Sequence, residues 1–368
     1  MKVICSKEEL LRGAQIVQTI VTPRSTLPIL SNFLFEAQGN QIKLSSTDLE
    51  VGVSCFVKGE VSQEGAITIP AKRFSDIVRE LPGDKDIELR ADDSNQVSVK
   101  CGKSHFVLMG LPKNDYPVLP QFPEEKTFAL SKQLLKAMLR RTSFAVSTDE
   151  TRYVLNGVYL LAEEGVLRFV STDGRRLAYM AKEGIDKKIQ YKAIIPTKAV
   201  NEVMRMLSNE EKDSDASIGI TENQIAFRID NVTIISRLIE GTFPNYEQVI
   251  PKKHDKQIVL KVKETLSAVK QMSLLTSDKA STVKFTFGKN VLRISASSQG
   301  LGSGEVEIDI ENAGPNMEIA FNPMFLIDIL KNADEDQVAV ELTNSLNPAL
   351  IRPFNDKNYL CVVMPMRI

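Results

Sequence analysis

The 368 residues provide two to three domains at about 150 residues each, so a single small module is excluded. Hydrophobic residues make up 43% and charged residues 25%, which are globular values, and no apolar run approaches the roughly 20 residues that a membrane-spanning helix needs. The formal net charge of −1 excludes a uniformly basic nucleic-acid binder, so any contact with phosphates requires segregated charge.

The N-terminus runs directly into charged residues without the apolar core of a secretory signal, and we therefore expect a cytoplasmic protein without a membrane partner. Four scattered cysteines contain no C-x-x-C pair, and we expect them to be buried free thiols. The two histidines, His105 and His254, have no ligand partner at metal-binding spacing. We expect no metal and no cofactor.

The first third of the chain predicts a helix over 8–21 and a second helix over 71–81. The segment LSSTDLE at 44–50 precedes the marker AITIP at 66–70, which leads into that second helix. Period-two alternation, as in QVSVK at 96–100, is typical of half-buried antiparallel strands. A Pro-rich segment at 115–123 follows and predicts an extended linker.

The middle third repeats this order. It predicts helices over 132–145 and 197–208, with FVSTDGR at 169–175 echoing the earlier segment and AIIP at 193–196 echoing the marker. A second Pro-rich linker spans 243–251.

The last third repeats the order again, with predicted helices over 263–276 and 323–332. The marker IAFN at 319–322 puts Asn322 where the other copies have Pro70 and Pro196, and the three positions are 126 residues apart. Internal repetition of this kind indicates a repeat architecture. We predict the α+β class, with three repeated domains at 1–121, 126–250 and 254–368, each carrying two helices on mostly antiparallel sheet.

Basic side chains collect on the predicted helices. Lys132, Lys136 and Arg140 lie four residues apart and share one face, opposite the apolar stripe that contains Leu135 and Leu139. The predicted helices at 71–81, 197–208 and 263–276 have a milder basic excess, and the other two have none. If the helices face one way, this near-neutral chain presents a positive face suited to sequence-independent contact with phosphates.

Motifs for common chemistry are missing from the sequence. It contains no G-x-x-x-x-G-K-[ST] loop, no G-x-G-x-x-G after a strand, no H-E-x-x-H and no G-x-S-x-G. We therefore expect a protein that is not an enzyme. Two alternatives remain open from the residues: a repeat scaffold that binds only proteins, and a DNA-processing enzyme that uses ordinary carboxylates and a loosely bound metal.

Six segments together resemble the bacterial DNA polymerase III beta subunit family, the replicative sliding clamps. They are TLPIL at 26–30, STDLE at 46–50, RYVLNG at 152–157, TDGRRL at 172–177, FPNY at 243–246 and VVMPMRI at 362–368. The resemblance covers the whole chain. It implies a head-to-tail homodimer ring of DNA-clamp domains, with helices around duplex DNA, that tethers the polymerase for processive synthesis. It also implies attachment to the nucleoid during replication.

The resemblance further implies a pocket for short peptide motifs of DNA polymerases and repair proteins, and a clamp loader ATPase as a partner. By matching position, the pocket comprises Tyr153, Leu155, Thr172, Gly174, Arg175, Arg176, Leu177, Pro244, Val249, Leu346, Pro348, Val362, Met364, Pro365, Met366 and Arg367. Flexible Met side chains suit varied ligands, and the arginines are expected to take polar or carboxylate groups at the rim. The chain has Arg175 and Val154 where some members have His and an aromatic residue.

Two more residue sets follow from the resemblance. The expected DNA contacts are Arg24, Arg79, Lys136, Arg140 and Lys198. The expected dimer interface comprises Leu274, Leu275, Glu305 and Glu307 of the third domain, facing Lys72, Arg73, Phe106 and Leu108 of the first domain.

Overall fold

The structure is a computed structural model that describes residues 1–21, 27–208, 214–276, 282–311 and 316–367. It divides into two compact units, which do not follow the three repeats. Unit 1 comprises Met1–Gln133 and Asn201–Leu238, and unit 2 comprises Leu134–Val200 and Ile239–Ile368.

Six α-helices occur in the described residues, two for each repeat, as predicted. They are α1 Lys7–Gln18, α2 Ala71–Glu80, α3 Lys132–Ser143, α4 Thr197–Ser208, α5 Val262–Ser273 and α6 Pro323–Lys331. Helix α1 begins where the Ser6 hydroxyl accepts a hydrogen bond from the Glu9 amide. Asn322, the variant residue in the third marker, caps α6 by accepting from the Met324 amide, so the Pro-to-Asn change keeps a helix start at this point.

Unit 1 contains two antiparallel sheets. The first is five-stranded, in the order β5-β1-β7-β8-β9: β5 Glu60–Gln63, β1 Lys2–Cys5, β7 Ile87–Ala91, β8 Gln96–Cys101 and β9 Ser104–Met109. The second is eight-stranded, in the order β10-β15-β16-β17-β4-β3-β2-β6: β10 Thr127–Ser131, β15 Asp215–Ile220, β16 Gln224–Ile229, β17 Val232–Arg237, β4 Val51–Val57, β3 Gln41–Thr47, β2 Asn32–Gln38 and β6 Gly65–Pro70.

Unit 2 also contains an eight-stranded and a smaller sheet. The eight-stranded order is β14-β11-β12-β13-β25-β24-β23-β18: β14 Tyr191–Pro196, β11 Gly157–Glu163, β12 Val166–Thr172, β13 Arg176–Glu183, β25 Tyr359–Val363, β24 Ala349–Pro353, β23 Gln337–Leu342 and β18 Lys256–Lys261. The smaller order is β21-β20-β19-β22: β21 Gly302–Asp309, β20 Val291–Ser298, β19 Val283–Phe287 and β22 Met317–Phe321.

Both eight-stranded sheets run through a junction between two repeats. In unit 1, β4 of the first repeat pairs with β17 of the second, with Val51 opposite Ser236. In unit 2, β13 of the second repeat pairs with β25 of the third, with Arg176 opposite Val363. The repeats are therefore joined by main-chain hydrogen bonds as well as by their linkers.

Alternating apolar residues fill the cores between helices and sheets. In β8 the buried residues Val97 and Val99 alternate with polar neighbours, as the period-two pattern predicts. All four cysteines are buried and free, and burial raises the pKa of Cys5, Cys55 and Cys361 to about 12. Among the described residues, no helix is long and apolar enough to cross a membrane.

One expectation for the basic helix face is wrong. Lys132 is only 5% exposed, and its Nζ donates a 2.6 Å hydrogen bond to Asp230. A buried ammonium requires a paired anion, and Asp230 provides one. Lys132 therefore belongs to the interior of unit 1 rather than to an exposed basic stripe.

Candidate functional site

The turn that begins the predicted pocket is held by its own polar side chains. The Thr172 hydroxyl donates to the Arg176 carbonyl at 2.6 Å and accepts from the Gly174 amide at 3.0 Å. Asp173 Oδ1 accepts from the amides of Arg175 and Arg176 at 2.9 and 3.0 Å. Gly174 has φ of 84°, a left-handed conformation that glycine adopts without steric cost. The segment TDGRR thus specifies a rigid turn.

An aromatic and aliphatic cluster lies beside this turn. Its buried members are Leu155, Val170, Leu177, Ile194, Phe243, Tyr246 and Val362. The rings of Tyr159 and Phe243 stack with centroids 4.8 Å apart. Burial raises the pKa of Tyr246 to about 12, so its phenol stays neutral at physiological pH.

The predicted pocket residues fall into three groups in unit 2. Leu155, Leu177 and Val362 belong to the buried cluster, and Thr172, Gly174, Arg175 and Arg176 form the adjoining turn. The C-terminal segment is tied to that turn, because the Met364 amide donates to the Arg175 carbonyl at 2.9 Å. The structure therefore brings these two groups and Met364 together.

The third group is more exposed. Tyr153, Val249, Leu346, Met364 and Met366 are 58%, 47%, 75%, 43% and 39% exposed, respectively. Exposed apolar side chains beside a buried apolar cluster are typical of an interaction site. Pro244 and Arg367 are exposed, and Pro365 is half-buried. Pro348 directly precedes Ala349, which pairs with Val363.

The two arginines of the turn differ sharply. Arg175 is exposed, whereas the Arg176 side chain is only 11% exposed. Arg176 donates from Nε to Asp173 at 3.1 Å, from Nη1 to Asp328 at 2.7 Å and from Nη2 to the Phe144 carbonyl at 2.7 Å. Of the two, Arg175 is the arginine with a side chain open to solvent at the rim.

The expected DNA contacts lie on or near helices. Arg79 and Lys198 are exposed and Lys136 is half-buried, whereas Arg24 lies outside the described residues. The Arg140 guanidinium pairs with Asp334 of the third repeat. Asp334 also accepts from Arg141, which pairs with Asp356 and covers the Tyr359 ring at 5.0 Å. A phosphate contact by Arg140 would thus compete with a carboxylate of the same chain.

Four of the expected interface residues lie on edge strands, two on β9 and two on β21. Phe106 is 41% exposed on edge strand β9, but Leu108 is only 8% exposed, so it packs inside unit 1. Lys72 and Arg73 are exposed at the start of α2. In unit 2, Leu274 is 79% exposed, and Glu305 and Glu307 lie on edge strand β21, where both pair with Arg293.

Sequence reasoning missed several residues of these sites. Val107 and Met109 are 51% and 62% exposed on β9, so they offer more apolar surface than Leu108. Phe243 and Tyr246 build the cluster floor, and the FPNY segment was the signal that could have identified them. Asp328 and Phe325 of α6 had no such signal, because their contact with Arg176 spans about 150 residues.

Titratable clusters suited to a metal are not found in the described part of the chain. The site described above therefore consists of a rigid turn, an apolar cluster and an exposed rim.

Family models match the chain in three consecutive segments. They describe the N-terminal, central and C-terminal domains of the DNA polymerase III beta subunit and match residues 1–120, 129–245 and 247–367. The chain belongs to this family. It therefore has three clamp domains of mixed helix and antiparallel sheet, although the exact boundaries at 121–126 and 250–254 stay a prediction.

Curated relatives and solved structures agree with this assignment. The beta sliding clamps of Chlamydia pneumoniae and Pseudomonas aeruginosa are 36% and 34% identical, over 100% and 98% of this chain and 99% and 98% of theirs. The crystal structure of the DNA polymerase III subunit beta from Pseudomonas aeruginosa matches with 34% identity and a TM-score of 0.94. A sliding clamp from Bartonella birtlesii bound to griselimycin matches with 37% identity and a TM-score of 0.95. Both structures and this chain are covered completely.

The function is accordingly that of a sliding clamp, a non-catalytic processivity factor of DNA polymerase III. The family implies encirclement of DNA and polymerase partners. The alternative of a protein-only scaffold is not favoured.

Proposed function

We propose that two copies of this chain join head to tail into a closed ring around duplex DNA. The observation that carries this proposal is the pair of open sheet edges. Each repeat contains a row of four neighbouring strands. The last strand of that row is β4 in the first repeat, β13 in the second and β21 in the third. Strand β9 occupies the place in the first repeat that β17 and β25 occupy in the others.

The internal junctions β4 to β17 and β13 to β25 show what these edges can bind. A strand edge without a partner is a template for another strand, and in the described chain β21 and β9 are each paired on one side only, with β20 and β8. Pairing β21 of one copy with β9 of another would form the same junction a third time. Two chains then give six domains and close by symmetry.

Side chains at the two edges support this pairing. Phe106, Val107 and Met109 on β9 and Leu274 near β21 supply exposed apolar surface. Lys72 and Arg73 on one side are complementary in charge to Glu305 and Glu307 on the other. An apolar core with a charged rim is the usual composition of a stable interface.

The helices would face the DNA. Arg79, Lys136, Arg140 and Lys198 act as sequence-independent phosphate contacts, together with Arg24 by the family match. Closure holds the ring by topology, so each contact can be weak and salt-sensitive. Sliding needs no chemistry.

The pocket of unit 2 takes short peptide segments of polymerases and repair proteins, and a clamp loader ATPase opens the ring. The apolar cluster around Leu177 and Val362 supports an apolar peptide anchor, and the exposed Arg175 supports a polar or acidic group beside it.

Retention on circular DNA tests the ring. The chain is loaded onto nicked circles with its loader and ATP, and gel filtration is repeated after the circle is cut. We expect co-elution with circles and loss after linearisation. Equal retention on linear DNA, or none on circles with an active loader, would replace topological attachment with ordinary DNA binding or a protein scaffold.

The interface has its own test. Changing Leu274 and Leu275 together to Asp should give monomers in sedimentation, because an apolar interface core is lost while rim charges contribute little. Leu346→Asp is the control, since Leu346 is 75% exposed and is expected at the pocket rather than at the interface. A persistent dimer in the double variant, or monomers in the control, would contradict this interface.

A further inference from the structure

We infer that Arg176 is a positioning residue that does not touch the bound peptide and that acts through Asp328 on α6. This inference rests on the proposed peptide pocket. It assigns to that pocket a supporting residue that does not line it. It departs from the expectation that Arg176 provides a ligand contact at the rim.

The side of the sheet on which Arg176 lies is the first argument. Side chains alternate between the two faces of a strand, so Arg176 and Leu177 at the start of β13 point in opposite directions. Leu177 packs in the pocket cluster together with Val362, its partner on β25. Arg176 instead contacts Phe144, which follows α3, and Phe325 of α6. Arg176 therefore lies on the face that carries the helices.

The hydrogen bonds of Arg176 are the second argument. Each of its three guanidinium nitrogens donates to an acceptor of the chain: Asp173, Asp328 or the Phe144 carbonyl. The guanidinium centre lies 4.6 Å from the Phe325 ring centroid and 5.5 Å from that of Phe144. A planar guanidinium held by three acceptors between two rings has a fixed position. It cannot turn to a ligand without breaking these bonds.

The fixed position of Arg176 controls the backbone of the pocket turn. Asp173 binds Arg176 with Oδ2 and, with Oδ1, holds the amides of Arg175 and Arg176. Asp173 is the carboxylate that shapes the pocket turn. Because Arg176 binds both Asp173 and Asp328, it links that carboxylate to α6. Asp328 is on a helix of the third repeat, whereas the turn belongs to the second.

The first repeat offers an internal comparison. Val51 occupies the position of Arg176 in the equivalent turn and is 1% exposed. Glu202 lies on α4 of the second repeat, at the position that Asp328 holds on α6 of the third, and it pairs with Arg205 of its own helix. Asp76, at the same position on α2 of the first repeat, pairs with Arg79. The anchor is therefore a feature of the second turn rather than a requirement of the fold.

A double-mutant cycle tests the inference, with griselimycin, the ligand of the Bartonella birtlesii clamp, as the probe for the proposed pocket. The variants are Asp328→Asn, Arg176→Gln and their combination in the full chain, with Asp76→Asn as the matched control. We expect each single change to weaken griselimycin binding about tenfold through faster dissociation, and the combination to add nothing further. The control should bind as the unchanged chain does.

Affinity is measured at a temperature where thermal scans show every variant to be folded. A role confined to stability would lower the unfolding midpoint and leave the affinity of the folded chain unchanged, which would overturn the inference. A further loss from Arg176→Gln in the Asp328→Asn background would also overturn it, because Arg176 would then act by a route other than its bond to Asp328. If the unchanged chain does not bind griselimycin, the proposed pocket itself fails.

Discussion

The turn at Thr47–Val51 and the turn at Thr172–Arg176 have the same backbone but different surroundings. In the first turn, the Thr47 hydroxyl donates to the Val51 carbonyl and accepts from the Leu49 amide. Asp48 Oδ1 accepts from the amides of Glu50 and Val51, as Asp173 Oδ1 does in the second turn. Each turn also binds the neighbouring repeat, because the Arg237 amide donates to the Glu50 carbonyl as Met364 does to Arg175.

The differences are confined to three successive side chains. Leu49, Glu50 and Val51 stand where the second turn has Gly174, Arg175 and Arg176. Leu49 even adopts φ of 79°, close to the 84° of Gly174. The Thr-Asp pair therefore determines the backbone of both turns, and the three variable side chains determine which turn has a charged rim and an anchor to a helix. The two turns thus share a junction backbone, and only the second has a basic rim and an anchor to a helix.

Removing the aspartate separates these two roles and should have the largest effect. We expect Asp48→Ala to lower the free energy of unfolding by about 1–2 kcal/mol, because two backbone amides lose their acceptor. Asp173→Ala should cost about 3 kcal/mol, because it also removes one carboxylate from the largely buried Arg176. Urea unfolding followed by circular dichroism measures both. Equal losses would show that the Arg176 bond contributes nothing to stability.

Exchanging the residues at the left-handed position sharpens the comparison. Gly174→Leu should lower the free energy of unfolding by about 1 kcal/mol, since a side chain in this conformation is strained. A Cβ there would also lie 3.0 Å from Arg152 Nη1. Leu49→Gly should change stability by less than about 0.5 kcal/mol, because relief of strain offsets the added freedom of the unfolded chain. A large loss from Leu49→Gly would mean that the Leu49 side chain stabilises the first turn.

The sequence supplied the repeat, the six helices and the segments that form the turn because these are local patterns. The three markers fall at helix starts, and Asn322 replaces proline where a side chain can cap α6. Residue spacing alone carries such information, since each helix and each turn is built from neighbours in the chain.

Contacts between distant segments explain the errors. The basic stripe included Lys132, which is buried and pairs with Asp230, 98 residues away. The resemblance placed both Phe106 and Leu108 at the interface but could not show that Leu108 is covered. The anchor of Arg176 likewise depends on α6, so its burial could not be derived from the TDGRR segment.

The smallest expected effect concerns a second arginine cluster, formed by Arg140 and Arg141. The first repeat lacks this cluster as well, because α1 has Gln15 and Ile16 at the equivalent positions. Burial raises the pKa of Asp334, but hydrogen bonds from Arg140 and Arg141 outweigh it and leave the pKa below its ordinary value of 3.8. A carboxyl with a lowered folded pKa contributes stability above its unfolded pKa and loses it as the pH falls through the folded pKa.

We therefore expect Asp334→Asn to be less stable than the unchanged chain by a constant amount at neutral pH. That difference should shrink as the pH falls below about 4, the unfolded value for aspartate. Urea midpoints between neutral and acidic pH measure it, and Asp76→Asn serves as the control because Asp76 forms an exposed pair with Arg79 within one helix. A difference that grows in acid would mean that Asp334 is held protonated, contrary to its arginine pairing.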